Sequence, residues 1–326
     1  MTFEELTHRN DSIKADPIYF HMPDFQHHVK IFNLVYSLYR DHPYVFYPGA
    51  TIGSVFGCFD AAIWNGGSVF AGGNLTYEQI KLIINHYNYT LNFPLTFTFT
   101  NPCIDKIEQC YDTYCNTIAE LGNNGKNSIV ISSPVLEEYL RKRYTNYKYC
   151  RSVIASEHIP YDLTNYDLCV IKRAKNNDWD YLNTIPMEER GRIEFLLNDP
   201  CPDGCKRAYS HYRDLGRNQI LNSYGTNMDE LNCSYDTTLF RTRMMHDNRT
   251  YISKEQVYNQ YVPAGFKHFK CSGRGMFSRC MLSVLNYMIY PDFYEDITMA
   301  ALDNYVLTTD YMDHVLNWQD DQLLNG

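Results

Sequence analysis

Leu95-Thr-Phe-Thr-Phe-Thr-Asn101-Pro102 reads as a strand that stops at an Asn-Pro turn, and 104–121 continues with helical spacing up to Gly122. The pattern then repeats. Ser128-Ile-Val-Ile-Ser132 is a second apolar run, closed by Ser133-Pro134 and followed by a helix over 135–144. Further strands fit 150–155, 167–171, 192–197 and 266–270, with a short helix at 179–184 and a longer one at 276–290. Apolar strands flanked by amphipathic helices argue for a parallel sheet covered on its outer face.

Upstream the rhythm is weaker. Phe25, Val29, Phe32, Val35 and Leu38 give 25–40 a helical face, and Thr76 is a plausible N-cap for a helix over 77–87. Short strands are expected at 44–47 and 68–71. About seven strand–helix units suit a (β/α) TIM-type barrel, incomplete or distorted, better than an open sheet. The expected division is an N-terminal helical segment over 1–42, a barrel over 43–300 and a helical tail over 301–326. The barrel would include a cysteine-containing excursion over 199–262. Its part at 206–262, rich in Asn, Tyr, Arg and Asp, breaks the rhythm, and loops of that length in compact domains usually carry function.

Length and composition agree with a globular fold. The 326 residues are 44% apolar and 15% aromatic, enough to build a core without disulfides or metals. The formal charge of −9 argues against nucleic-acid binding driven by bulk charge. No apolar run reaches the roughly eighteen residues of a membrane span. Met1-Thr-Phe-Glu-Glu-Leu6 has no apolar signal core, so a cytoplasmic protein is expected. In a reducing compartment, eleven cysteines point to burial or metal ligation in preference to a disulfide framework.

In a barrel the strand ends converge on one face, where active sites sit. That reasoning nominates Asn101, Ser132, Lys172 and Asn198 as pocket-lining residues. The densest chemistry lies at Asn198-Asp-Pro-Cys201-Pro-Asp-Gly-Cys205-Lys-Arg207-Ala-Tyr-Ser-His211-Tyr212. Two cysteines four apart in a Pro- and Gly-bent turn after a strand can ligate a soft metal centre. Cys233 and Cys271 are the candidates to complete the set, as an iron–sulfur cluster or, alternatively, a zinc site. Plain buried thiols are the competing explanation. That explanation is preferred for Cys58, Cys150, Cys169 and Cys280, which lie in apolar, strand or helix-face contexts. Arg207 and His211, four apart, would share a helix face. Lys270 and Arg274, set among Gly273 and Gly275, could hold a carboxylate or phosphate.

The runs at 95–101 and 129–141, the cysteine turn at 197–212 and the block Phe266-Lys-His-Phe-Lys270-Cys-Ser-Gly273-Arg274 resemble the barrel strands of uncharacterised bacterial proteins. Those proteins are distantly similar to the collagenase-like peptidases, family thirty-two of the peptidases of unknown mechanism. The resemblance covers roughly residues 90–295. It implies a TIM-type barrel and, for many relatives, a cysteine-bound 4Fe-4S cluster. It also implies oxygen-independent hydroxylation of aromatic rings or RNA bases, or the older assignment as a peptidase. Carried over by position, Cys201 and Cys205 match the paired cysteines, and Lys270 and Arg274 match the closing basic residues. The additional clustered cysteines of the better-known hydroxylation proteins are missing from this chain.

The expectation is therefore an iron–sulfur redox enzyme acting on a small molecule, peptide or RNA, served by an electron donor. Its cluster would be held by Cys201, Cys205, Cys233 and Cys271, and its substrate anchored by Arg207, His211, Lys270 and Arg274. A peptidase without a cluster and a non-catalytic binding barrel are the alternatives.

Overall fold

The computed structural model describes residues 15–66, 74–155, 159–199, 205, 207–221, 250–273 and 277–306. Eight parallel strands close on themselves in chain order. They are β1 (Ile18–Pro23), β2 (Ala50–Gly57), β3 (Leu95–Phe99), β4 (Ser128–Ile131), β5 (Lys148–Arg151), β6 (Leu168–Val170), β7 (Ile193–Leu196) and β8 (His268–Lys270). The last pairs with the first, Tyr19 to His268 and His21 to Lys270. The chain is thus a TIM-type (β/α) barrel.

Two helices show how the sequence sets the frame. The helix α1 (Tyr77–Asn85) starts on a reciprocal cap between Thr76 and Gln79. The helix α2 (Pro134–Arg143) starts on the Ser133 hydroxyl with Pro134 at its first position, and carries Arg141, Lys142 and Arg143 in its last turn against the helix dipole.

Strand residues alternate between two environments. Phe20, Phe97, Phe195 and Phe269 are fully buried in the main core, with aromatic partners such as Tyr258, Tyr287, Tyr147 and Tyr261 from the surrounding shell. The alternate residues point inward. Val130, Cys150, Val170 and Leu196, from β4, β5, β6 and β7, meet each other with Val153 and Ile154 in a separate apolar cluster. The other half of the interior is polar: His21, Ser54, Thr96, Glu194 and Lys270 are all buried.

The amino-terminal third departs from the sequence reading. A strand, β1, lies inside the segment expected to be helical, and it completes the barrel at eight strands where about seven were expected. The expected helix is present but confined to Val29–Asp41. Residues 44–47 form no strand; a single turn at Pro43–Val45 precedes an isolated bridge from Phe46 to Ile289, and the true second strand follows at Ala50–Gly57. The strand expected at 68–71 lies outside the described residues. Within the excursion, α3 (Ala208–Ile220) is an ordered helix. The carboxyl-terminal helices are α4 (Phe277–Met288) and α5 (Tyr294–Val306), and the rest of the expected tail lies outside the described residues. No helix among the described residues is long and apolar enough to cross a membrane.

Candidate active site

The polar half of the interior is one connected network. β7 and β1 are separated by β8, so a contact between Glu194 and His21 can form only across the barrel lumen. Glu194 Oε2 lies 3.5 Å from His21 Nε2, and Glu194 Oε1 lies 3.5 Å from Lys270 Nζ. The Lys270 ammonium also rests 4.2 Å from the centre of the Phe56 ring, a cation–π contact at the end of β2. The Thr96 hydroxyl donates to Ser54 Oγ at 2.7 Å, Ser54 Oγ is 2.8 Å from His21 Nδ1, and His21 Nε2 is 3.0 Å from His268 Nδ1.

Local sequence makes room for this network. The pairing of β1 with β2 slips between Phe20 and His21, leaving Gly53 as an extra residue. A Cβ there would stand 2.8 Å from Tyr19 Cβ and 2.9 Å from His21 Cε1, so glycine is what lets the imidazole sit in the lumen.

Burial decides the protonation states of the two histidines. It pushes His21 down to about 3, with the nearby Lys270 charge acting in the same direction. Burial, then His21, pushes His268 down to about 3. Both rings are neutral, with one N–H each. With Thr96 donating to Ser54, the Ser54 hydroxyl is free to donate to His21 Nδ1, and His21 Nε2–H donates to His268. Glu194 is 2% exposed, and its Oε1 has no hydrogen bond among the described residues. An ion pair held in this way costs desolvation that an aliphatic filling would avoid.

A second layer lies at the carboxyl ends of the strands. Arg173, just past β6, has Nε 2.9 Å from Asp199 Oδ2, just past β7, and its Nη2 donates to the Tyr212 hydroxyl. Tyr212, on α3, also packs on the apolar interior cluster, so α3 lies over the mouth. On the β1–β2 side His27 is held between two carboxylates, 2.8 Å from Asp24 Oδ1 and 3.2 Å from Asp60 Oδ2. Burial alone would lower this imidazole, but the bonds to Asp24 and Asp60 raise it to about 10.

Among the residues expected at the site, Lys270 stands in the network. Arg207 is exposed at the start of α3, and His211, one turn on, is half-buried and lowered by burial and by Arg207. Asn101 is a brace: its amide donates to the carbonyls of Ile63 and Gly216 and its oxygen accepts from the Cys103 backbone N–H. Asn198 is another, since its Oδ1 accepts from the Ser272 backbone N–H at 2.6 Å and its amide donates to Ser283. The side chain of Asn101 is thus engaged with backbone, and that of Asn198 with the Ser272 backbone and the Ser283 hydroxyl. Ser132 is half-buried with no hydrogen bond to its Oγ among the described residues, and Lys172 is half-buried with its backbone N–H bonded to Pro160.

Of the expected cluster ligands, Cys205 is half-buried ahead of α3. Cys271 is fully buried in the main core; burial raises its thiol to about 12, against a hydrogen bond with Ser283 of α4. Cys201, Cys233 and Arg274 lie outside the described residues. No group of three or more His, Cys, Asp or Glu among the described residues is arranged to hold a metal ion.

His21, Ser54, Thr96, Glu194, His268 and Arg173 were not legible as site residues. One signal was present: Glu194 interrupts Arg192-Ile-Glu-Phe-Leu-Leu197, and a carboxylate centred in an apolar strand has to meet a partner inside the fold.

Neither a family model nor a curated protein matches this sequence. A solved structure described as the U32 peptidase Mk0906 matches with a TM-score of 0.45 and 10% identity, over 81% of this chain and 95% of that one.

Proposed function

We propose that this chain is a barrel enzyme working by general acid–base catalysis, with its reaction centre in the barrel interior where β7, β8 and β1 meet. The observation that supports this most is the meeting of Glu194, Lys270 and His21, from three strands, inside a barrel whose other half is filled by aliphatic residues. A buried imidazole perturbed by burial and by a neighbouring lysine charge is the kind of group found at functional sites. Lys270 is the last residue of β8 and retains 7% exposure, in support of a position on the side from which a substrate would enter.

In this reading Lys270 is the group that touches substrate. Its ammonium donates a hydrogen bond to a substrate oxygen and stabilises negative charge that develops there. Glu194 is the base, since Oε1 faces Lys270 and carries no other hydrogen bond among the described residues. His21 stays neutral beside them, its Nε2 3.5 Å from Glu194 Oε2 while its N–H donates to His268.

The test separates function from support. Removing one member of a buried pair strands the other and costs about 3–5 kcal/mol, whereas replacing both by neutral groups is often neutral or stabilising. The double variant Glu194→Gln/Lys270→Met is expected to melt at or above the wild-type temperature. It is also expected to lose turnover by about a hundredfold or more on a panel of small acyl and carbonyl compounds. A double variant that turns over any panel member as fast as wild type, or that melts well below it, overturns the proposal.

A further inference from the structure

The same site suggests a substrate class, in an inference that rests on the acid–base reading of the interior network. We infer that Lys270 acts as an amine nucleophile, taking small aldehydes or ketones through an imine to its Nζ. Four features of the geometry support it. The amine is buried in the lumen, 4.2 Å from the centre of the Phe56 ring. Glu194 Oε1 is 3.5 Å away, with no hydrogen bond among the described residues to compete for its lone pairs. The neighbouring imidazole of His21 is turned toward Ser54 and His268, so it does not hold the amine. The side chain leaves the final residue of β8, at the carboxyl end where barrel substrates enter.

The steps balance on these residues alone. Glu194 takes one proton from the Lys270 ammonium. The freed nitrogen lone pair attacks the carbonyl carbon; the C–N bond forms as the C=O π pair moves to oxygen. That oxygen takes the proton back from Glu194, giving a protonated carbinolamine. Glu194 then removes a proton from nitrogen and returns it to the hydroxyl. The C–O bond breaks, water leaves and the iminium remains. One carbonyl compound and one ammonium give one iminium and one water, with no change in oxidation state.

Reductive trapping tests this on the full wild-type chain. Acetaldehyde and glyoxylate, one neutral and one anionic, are added at low concentration with sodium borohydride, and the modified lysines are mapped by peptide mass spectrometry. Lys270 is expected to be labelled about a hundredfold faster than exposed lysines such as Lys142. Glu194→Gln is expected to slow labelling at Lys270 by about tenfold or more and leave the exposed lysines unchanged. Labelling of Lys270 at the rate of an exposed lysine, or none at all, overturns the inference. The acid–base proposal survives that result if the double variant still loses turnover without losing stability.

Discussion

His21 and His27 sit six positions apart and titrate in opposite directions because of what each one faces. His21 meets Ser54 Oγ, His268 and the Lys270 charge in a buried lumen and is driven down to about 3. His27 meets Asp24 and Asp60 and rises to about 10. The signs for stability follow by linkage. Below about 6.5 the unfolded chain protonates His21 and His268 while the folded chain does not, so stability falls as pH drops from about 6.5 toward 3. His27 is charged in both states below about 6.5, and between there and about 10 only the folded state keeps the proton, so its contribution is lost as pH rises through that window. Urea midpoints measured against pH should fall on both sides, and His27→Gln should flatten the alkaline side alone. A variant that keeps the full alkaline fall would contradict the clamp. At this scale the sequence showed Lys270 as a candidate anion holder but concealed its partners. His21 and Ser54 lie on strands whose pairing slips at Gly53, and no spacing rule brings residues more than 170 positions apart, such as His21 and Glu194, into one contact.

Elements were legible where a helix followed a strand with a cap between them, as at Ser133-Pro134 and Thr76. They were illegible where the period was ambiguous. Ile18-Tyr-Phe-His-Met-Pro23 is buried along nearly its whole length, and a short apolar run just before an amphipathic helix carries no period of its own. The helix α3 was expected within the excursion from the spacing of Arg207 and His211; its seat on the barrel depends on Gly216. A Cβ at that position would overlap Asn101 Oδ1, and the Gly216 carbonyl accepts from the Asn101 amide at 2.9 Å. In a free helix Gly→Ala gains about 1 kcal/mol. Here overpacking should outweigh the gain, and Gly216→Ala is expected to destabilise by about 1–3 kcal/mol. It should also speed proteolysis within 207–221. Unchanged stability and unchanged protection would show that α3 is not held at the mouth by this contact.

Across the whole molecule, the strand–helix rhythm was enough to read a barrel, because each amphipathic helix needs a sheet face to cover and a parallel sheet needs crossovers. The closed count of eight depended on the strand hidden before the first helix. The division of the lumen into an aliphatic half and a charged half was not legible. Inward and outward residues of a strand buried on both faces look alike until the register is known. The cysteine pattern drew attention to the mouth, while the ionisable groups that meet are inside it. The most direct measurement is the protonation of His21 by ring-nitrogen NMR on the folded chain. The account predicts a neutral ring with its proton on Nε2, unchanged from pH 8 down to about pH 5. A ring that gains its proton with a midpoint between about pH 6 and 7, as a solvated histidine does, would contradict it.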